Sequence, residues 1–238
     1  MSYRKSHMDP GKGESYHDSF ESESYRRMIW KLEKMYLDKI LVKNYKNKKI
    51  RHLDFACGTG RLLGYVENKT SNSIGVDISS EMIQVARSNV ASKIIEGDLT
   101  REDFLLEKKF DLITAFRFFT NAENDLRSDA INAISRHLDD KGLLVFNNHR
   151  NKKSFVAKLR RLVFRKKYRG MDRKEVELML STSHLKVVDT YSMGLFPDSY
   201  NKKIIPISML YYIELILGKF KFFNGYGYNQ IFVCRRLN

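Results

Sequence analysis

The sequence predicts an α/β fold with a mostly parallel sheet of seven strands, and three observations support this class. Short apolar segments alternate along the chain with longer segments of helical periodicity, as strands alternate with crossover helices. The segment 109–116 is apolar on both faces, which is typical of a strand buried between two helical layers. Acidic residues follow several strands, at the edge where open parallel sheets bind ligands.

The first 24 residues are mostly polar and lead into a predicted helix. The segment 10–13 is a flexible link. Tyr16, Phe20 and Tyr25 follow it, either as lid residues over a ligand or as an ordinary hydrophobic anchor for the helix. Residues 26–43 carry apolar side chains at helical spacing, which predicts a helix packed beside the sheet.

The segment 51–63 predicts a strand, a turn on two glycines and the start of a helix, an arrangement that presents backbone N–H groups to a ligand. Gly58 and Gly60 can adopt positive φ angles and allow close approach to the backbone. Asp54 lies within the strand, where its carboxylate can meet a cationic ligand group. The third glycine of the dinucleotide-binding fingerprint is absent, because Arg61 and two leucines follow Gly60.

Two further carboxylates follow the next predicted strands. Asp77 ends the strand 73–77, where an acidic residue can accept hydrogen bonds from both hydroxyls of a ribose. Asp98 follows the short strand 93–96. Since parallel strands end at one edge of a sheet, the three aspartates are expected to form one site. The alternative is a doubly wound domain whose glycines make a tight turn and whose aspartates cap helices.

With these residues, the segment 49–151 resembles class I S-adenosylmethionine-dependent methyltransferases of the small-molecule or glycan-modifying type. The resemblance implies a Rossmann-like sheet of seven strands, six parallel and the last antiparallel, with an N-terminal helical arm and a C-terminal lid insertion. It implies S-adenosyl-L-methionine as the cofactor, and no metal site is predicted. The predicted cofactor-binding residues are Tyr16, Arg27, Asp54, Ala56, Cys57, Gly58, Thr59, Gly60, Asp77, Ile78, Met82, Asp98, Leu99, Ala115 and Phe116.

In this resemblance each part of the cofactor has its own residues. The carboxylate of the first strand and the turn 56–60 would hold the methionine end, and Asp77 would hold the ribose. Asp98 would meet the adenine, and Phe116 would lie beside the sulfonium. The arm would fold over the cofactor, and Arg27 could reach the methionine carboxylate from there.

Three residues after the fourth and fifth strands are candidates for the chemistry. His149 follows the strand 143–148 and has an intrinsic pKa near physiological pH. It could therefore take the proton from a hydroxyl or amine nucleophile. Arg117 and Asn121 could orient a polar substrate. All three could instead serve the fold, His149 through hydrogen bonds within a loop.

Polar residues are predicted to cap several helices. Ser79 or Ser80 begins the helix after the second strand, and Asn124 or Asp125 begins the helix after the fourth. Residues 172–175 have the form of a capping box, in which an acidic side chain and the backbone bond each other reciprocally.

Two segments near the C-terminus have an unusual composition. Residues 151–169 combine many cations with interleaved apolar residues, which predicts an amphipathic basic helix. Such a helix rests on an anionic membrane, grips phosphates, or is simply a solvated helix over the sheet. Residues 193–228, between the strands 185–191 and 229–235, form an insertion rich in aromatic and aliphatic residues. The insertion is expected to be a substrate lid, a dimer face or a shallow membrane contact.

Length and charge bound the interpretation further. The 238 residues suit one α/β domain, residues 46–238, behind an N-terminal arm and helix, residues 1–45. The net charge of +15 indicates an anionic partner, or else a lysine-rich coding bias. Cys57 and Cys234 form no disulfide framework, and no signal peptide or membrane-spanning run is visible. A cytoplasmic location is expected, with peripheral contact at the inner face of the membrane as an option.

These observations predict methyl transfer from S-adenosyl-L-methionine to an oxygen or nitrogen of a small anionic molecule, such as a sugar or a lipid-linked glycan intermediate. Two alternatives stay open. The positive charge also fits an RNA methyltransferase, and the fold also fits an accessory protein that binds the cofactor without turnover. DNA adenine methylation is disfavoured, because no acidic or amide residue followed by two prolines stands after the fourth strand.

Overall fold

The computed structural model describes residues 3–5, 12–46, 48–106, 108–164, 170–196 and 205–237. Within these residues seven strands form one sheet. The strands are β1 (Arg51–Phe55), β2 (Asn72–Asp77), β3 (Lys93–Glu96), β4 (Phe110–Ala115), β5 (Leu138–Asn148), β6 (Leu185–Met193) and β7 (Asn229–Arg236). Their spatial order is β3-β2-β1-β4-β5-β7-β6.

Six of the strands run parallel, and β7 runs antiparallel to both of its neighbours, β5 and β6. The predicted α/β fold with an antiparallel last strand is confirmed. The strand order reverses between β1 and β4, because β2 and β3 lie on one side of this pair and the later strands lie on the other. At such a switch point the loops leave the two central strands in opposite directions, and a crevice for a ligand opens.

Helices cover both faces of the sheet. The described helices are α1 (Lys12–Ser22), α2 (Ser24–Tyr45), α3 (Arg61–Glu67), α4 (Ser80–Asn89), α5 (Asn124–His137), α6 (Phe155–Phe164), α7 (Arg173–Ser181) and α8 (Ile207–Leu217). On one face α5 and α7 pack around Phe146 and Phe232, and on the other face α2, α3 and α8 pack around Val145 and Ile231. Neighbouring residues of one strand thus reach opposite layers, as the pleat of a strand requires.

The helix caps and strand ends predicted from the sequence agree closely with the structure except at two places. The Ser79 side chain caps α4 by accepting the N–H of Met82 at 3.3 Å, and Asp172 with Glu175 forms the predicted capping box of α7. The cap predicted at Asn124 or Asp125 is wrong, because α5 already includes both residues and its N-cap side chain makes no capping bond. Strand β5 begins directly after α5, at Leu138, whereas the sequence predicted that this strand starts at residue 143.

The N-terminal arm is a helix that packs closely on the domain. Only Glu23 separates α1 from α2, and α1 packs against both α2 and α4. A side chain at Gly13 would place its Cβ 2.7 Å from the carbonyl oxygen of Glu81 in α4. Phe20, at the end of α1, is 2% exposed. The arm therefore forms one wall of the crevice at the strand ends.

The C-terminal insertion is pinned to the domain by a buried carboxylate. Glu214, in α8, accepts the N–H groups of Gly194, Leu195 and Phe196. Burial raises the pKa of Glu214 to about 7, although these hydrogen bonds oppose the rise. Residues 165–169 of the predicted basic helix and residues 197–204 of the insertion lie outside the described residues. No helix in the described ranges is long and apolar enough to cross a membrane.

Candidate functional site

A cavity of about 1330 Å³ opens at the carboxyl ends of the central strands, between the sheet and the arm. Asp54 of β1, Asp77 of β2 and Phe116 after β4 lie in its wall. Tyr16 and Phe20 of the arm line the opposite side, together with Tyr25. The three aromatic residues predicted as lid candidates therefore all reach this cavity.

The glycine turn is held open toward the cavity by Asp77. Its Oδ2 accepts the N–H of Gly58 at 2.7 Å, and its Oδ1 accepts the N–H of Ser79 at 2.9 Å. Ala56 and Gly58 both adopt φ of 56°, and Gly60 adopts 76°. A Cβ on Gly58 would meet no atom within 4 Å, so this part of the backbone is open to a ligand.

Asp54 lies beneath the turn with one oxygen unused. Its Oδ1 accepts the Thr114 hydroxyl at 2.6 Å, whereas its Oδ2 has no partner among the described residues. Burial raises the pKa of Asp54 to about 7, and the charge of Asp77 adds to the rise. A positively charged ligand group beside Oδ2 would favour the ionised carboxylate and be held by it.

A buried hydrogen-bonded chain orients Asp54 from below, and the sequence reasoning missed it. His52 lies between Ser73, 3.0 Å from Nδ1, and Thr114, 2.8 Å from Nε2. Burial lowers the pKa of His52 to about 3, so its imidazole is neutral. The sequence shows that β1, β2 and β4 each contain polar residues, but it does not indicate which of these residues contact one another.

Asp98 has a partner that the sequence did not suggest. Arg4, in the short helix Tyr3–Lys5, places Nε 2.9 Å from Oδ2 of Asp98, and Thr100 bonds Oδ1 through its backbone and hydroxyl. Burial alone would raise the pKa of Asp98, but the hydrogen bonds from Thr100 and Arg4 hold it below its usual range. Tyr3 packs edge-on against Phe118 with ring centroids 5.5 Å apart. The described N-terminal residues therefore close the Asp98 end of the cavity.

A buried glutamate organises two arginines on the other side of the turn. Glu33 is fully buried, and its Oε1 accepts the amide groups of Asn147 at 3.0 Å and Asn229 at 2.8 Å. Arg117 lies 3.6 Å from Oε1, and Arg61 lies 3.9 Å from Oε2. Both arginines line the cavity, and the single glutamate leaves the group with a net positive charge.

Aromatic rings complete the environment of Arg61. Its guanidinium carbon lies 3.9 Å from the centroid of Phe20 and 4.0 Å from that of Trp30. Burial lowers the pKa of Arg61 to about 10, with Glu33 opposing the shift, so the group stays protonated at neutral pH. Arg61 thus presents a cation to the cavity while its stem and faces are covered.

Replacing Glu33 with alanine is expected to lower the free energy of unfolding by roughly 1–3 kcal/mol, because two buried asparagine amides lose their acceptor and two partly buried guanidinium groups lose their counter-charge. Urea denaturation followed by circular dichroism measures the change. Glu33→Gln keeps an acceptor oxygen for the two asparagine amides, and should cost less than the alanine variant. Equal stability of the alanine variant and the unmodified chain would contradict this role for Glu33.

The opposite end of the cavity is cationic and contains His149. Burial lowers the pKa of His149 well below its usual range, and three neighbouring guanidinium groups lower it further. These belong to Arg117, Arg150 and Arg26. The Nδ1 atom of His149 is buried and has no hydrogen-bond partner among the described residues. His149 therefore offers a neutral ring nitrogen as a proton acceptor at neutral pH.

Backbone contacts hold the strand-end residues around His149. Arg117 adopts a φ of 60°, and its N–H donates to Oδ1 of Asn147 at 2.5 Å. Asn121 donates its side-chain amide to the carbonyl of Arg117 at 2.7 Å. Asn121 lines the cavity but also fixes the left-handed turn that aims Arg117 into it. From the sequence, Asn121 could either orient a substrate or stabilise the fold. Its hydrogen bond to the carbonyl of Arg117 directly supports the role in the fold.

Most of the predicted cofactor residues come together, and three do not line the cavity. Gly60 is the left-handed N-cap of α3, and Ala115 is fully buried within β4. Arg27 is exposed and donates to Ser24, whereas Arg26 lines the cavity. Successive residues of a helix point about 100° apart, and the residue that faces the cavity is Arg26 rather than the predicted Arg27. The predicted residues that line the cavity are Tyr16, Asp54, Ala56, Cys57, Gly58, Thr59, Asp77, Ile78, Met82, Asp98, Leu99 and Phe116.

A doubly wound sheet with a glycine turn at its switch point and carboxylates at successive strand ends defines a class of α/β enzymes that bind nucleoside cofactors. Within that class, residues 53–142 match the model of the methyltransferase domain family. This segment contains both glycines of the turn and all three aspartates. Residues 53–142 are therefore similar to a methyltransferase domain, and the cofactor that this similarity indicates is S-adenosyl-L-methionine.

Two curated relatives are similar to part of the chain. An uncharacterized protein of Methanocaldococcus jannaschii is 27% identical over 131 residues, which cover 52% of this chain and 49% of the relative. The ribosomal protein L11 methyltransferase of Thermotoga neapolitana is 28% identical over 112 residues, which cover 45% of this chain and 40% of the relative. The chain thus spans about half or less of the length of these relatives.

Solved structures share the fold over most of the chain. An S-adenosylmethionine-dependent methyltransferase from Clostridium acetobutylicum has a TM-score of 0.59 and 19% identity, with 86% of this chain and 91% of that chain covered. A TehB-like methyltransferase from Corynebacterium glutamicum has a TM-score of 0.62 and 16% identity, with 96% and 100% covered. A methyltransferase from Archaeoglobus fulgidus has a TM-score of 0.61 and 14% identity, with 93% and 98% covered.

The residues of the cavity fit this cofactor chemically. S-adenosyl-L-methionine carries an ammonium and a sulfonium, two ribose hydroxyls, an adenine and a carboxylate. The unpartnered oxygen of Asp54 suits a cation, and the carboxylates of Asp77 and Asp98 suit hydroxyl and amine donors. The guanidinium group of Arg61 suits the carboxylate.

Proposed function

We propose that the chain transfers a methyl group from S-adenosyl-L-methionine to an oxygen or nitrogen of a small anionic molecule. One observation carries the acceptor side of this proposal: His149, whose buried Nδ1 has no partner among the described residues, lines the cationic end of the cavity whose other end holds the aspartates. One cavity can thus hold a cationic donor and an anionic acceptor side by side, each facing charges opposite to its own.

The donor end would be held by the aspartates and the glycine turn. Asp54 receives the ammonium of the methionine end, and ionises as it does so. Asp77 accepts the ribose hydroxyls while it keeps the turn in place through Gly58. Asp98, with the apolar Leu99 beside it, receives the adenine. The arm residues Tyr16 and Phe20 cover the site and exclude water.

The bound cofactor supplies an electrophilic methyl group on a positively charged sulfur. An acceptor oxygen or nitrogen held beside this group would gain the methyl group, and the demethylated cofactor would leave with the electron pair of the broken carbon–sulfur bond. His149 takes the acceptor's proton at Nδ1. Arg117 and Arg150 hold the anionic group of the acceptor and so align the nucleophile, which contributes through positioning.

The cationic lining favours an acceptor that carries phosphate or carboxylate groups, such as an acidic sugar or a lipid-linked glycan intermediate. Basic residues outnumber the acidic residues that pair with them at this end of the cavity: Glu23 pairs with Arg26, Glu33 lies near Arg117, and Glu175 pairs with Lys152. The basic residues are Arg26, Arg117, Arg127, Arg150, Lys152 and Arg160.

Transfer of labelled methyl groups to fractions of a cell extract tests the proposal. We expect label in an anionic small-molecule or glycan fraction, together with stoichiometric release of the demethylated cofactor. Label in RNA, with binding that weakens by orders of magnitude between low and moderate salt, would favour an RNA methyltransferase instead. Calorimetric binding of the cofactor without any transfer would leave only the accessory protein that binds without turnover.

A further inference from the structure

An exposed apolar stripe runs along the outer side of α6. Phe155, Leu159 and Leu162 are 43%, 36% and 79% exposed, and their spacing of four and three residues places them on one side of the helix. Val156 and Ala157, on the inner side, are 3% and 0% exposed. The helix is therefore anchored by one side, and its other apolar side faces solvent.

The stripe continues onto the segment that follows α8. The ring of Phe155 stacks on Tyr226 with centroids 4.9 Å apart, and Phe222 lies 5.7 Å from Tyr226. Phe222 is 72% exposed. Together with Phe220, which is 57% exposed, these residues form a continuous surface that we call the apolar face. Its members are Phe155, Leu159, Leu162, Phe220, Phe222 and Tyr226.

A shallow groove of about 320 Å³ indents the apolar face. The groove is lined by residues of α6, of the end of α8 and of the segments next to them, and all of these residues are apolar. They are Phe155, Val156, Leu159, Leu195, Phe196, Leu217 and Phe223. The groove can therefore accept hydrocarbon but offers no side-chain hydrogen bond.

The two described segments that form the apolar face carry only positive charges. Residues 151–164 and 218–228 contain no aspartate or glutamate. Lys158 lies 5.1 Å from the ring centroid of Tyr226, and Arg161 and Lys219 are exposed. A second copy of this chain would bring the same positive rim against itself, which is unfavourable. An apolar surface with a cationic rim instead matches the interface of a bilayer with anionic headgroups.

We propose that the apolar face docks on a membrane surface that contains anionic lipids. The exposed leucine and phenylalanine side chains enter the boundary between headgroups and acyl chains, and Lys158 and Arg161 contact the headgroups. Lys152, three residues before α6, and Arg160, in the middle of α6, line the cavity. The docked protein therefore holds the acceptor end of its cavity next to the bilayer, where an acceptor anchored in the membrane can enter it.

Vesicle flotation with the full chain tests this docking and needs no methyl donor. The unmodified chain is expected to float with vesicles of phosphatidylcholine and phosphatidylglycerol, and to stay behind with phosphatidylcholine alone. The double variant Leu162→Ser, Phe222→Ser should bind the anionic vesicles about tenfold or more weakly, because two apolar side chains no longer leave water. Lys158→Glu with Arg161→Glu should weaken binding by a similar factor or more, since each cation near the surface contributes.

The matched control is Leu178→Ser, which removes a leucine that is 70% exposed on α7 and lies outside the apolar face. It should float like the unmodified chain. Thermal unfolding and calorimetry with the cofactor show whether each variant is folded. An unmodified chain that stays unbound would overturn the proposal. So would apolar variants that bind normally, because a net charge of +15 would then explain the attraction by itself. Neither outcome depends on which molecule is methylated.

Discussion

Replacing His149 with alanine is expected to lower turnover by about a hundredfold or more, the usual contribution of a positioned general base. The reason is geometric: the unpartnered Nδ1 of His149 lies in the wall of the cavity at the acceptor end. The affinity for S-adenosyl-L-methionine should stay unchanged, because the predicted donor residues lie at the ends of the other strands. Steady-state rates with the labelled acceptor and calorimetry with the cofactor measure the two effects separately.

The pH dependence of the rate provides a sharper readout of His149. The base is active only when its ring is neutral, and burial with the nearby arginines lowers its pKa well below the usual value. The rate should therefore stay constant as the pH falls from about 8 through the ordinary histidine pKa of about 6.5, and decline only in more acidic solution. His149→Gln should remove that acid limb along with most of the activity.

The control for this prediction is His184, which is exposed and adopts a φ of 54°. His184→Asn suits a left-handed backbone and should change neither the rate nor its pH profile. Full turnover by the His149 alanine variant would exclude the residue from proton transfer. The acceptor would then lose its proton to solvent, and positioning by the arginines would supply the rate enhancement.

Replacing Asp77 with alanine is expected to weaken the binding of S-adenosyl-L-methionine by about a hundredfold or more, which corresponds to the loss of two or more hydrogen bonds to a charged group. The carboxylate holds the N–H groups of Gly58 and Ser79, so its removal frees the turn as well as removing an acceptor for the ribose. Calorimetry with the cofactor and with its demethylated product measures the loss.

Two further variants separate the role of Asp77 from a general loss of stability. Asp77→Asn keeps one acceptor oxygen, but its NH₂ group would face one of the two backbone N–H donors, of Gly58 or Ser79. This variant should still bind the cofactor, but weakly. Asp111→Asn alters a carboxylate at the start of β4, the strand end away from the cavity, where Asp111 pairs with Arg51. That control should bind the cofactor normally. Normal binding by the Asp77 alanine variant would remove this residue from the site.

The sequence was most informative where the signal is local. The turn around Gly58 directly follows the apolar strand β1, and Asp77 is the last residue of the apolar strand β2. The conformation of a strand end and of the next few residues depends on residues that are neighbours in the sequence. The sequence pattern alone can therefore predict it. The capping box of α7 and the amphipathic helix α6 were predictable for the same reason.

Helix phase was less predictable at the ends of helices. The arm was predicted to carry a cation toward the cofactor, but Arg26 rather than Arg27 lines the cavity. Both residues lie in the first turn of α2, where an apolar stripe is too short to fix which side faces inward. Only the packing of α1 and α2 against the domain decided between the two neighbours.

The sequence by itself determined the α/β sheet, the glycine turn and the carboxylates at the strand ends, because each depends on residues close together in the chain. The tertiary structure alone decided the contacts of Glu33, whose partners Asn147 and Asn229 lie 114 and 196 positions away. It also decided the contact of Arg4 with Asp98, 94 positions apart. Such pairs leave no periodic signal, since a buried charge gains its partners only when distant segments are folded together.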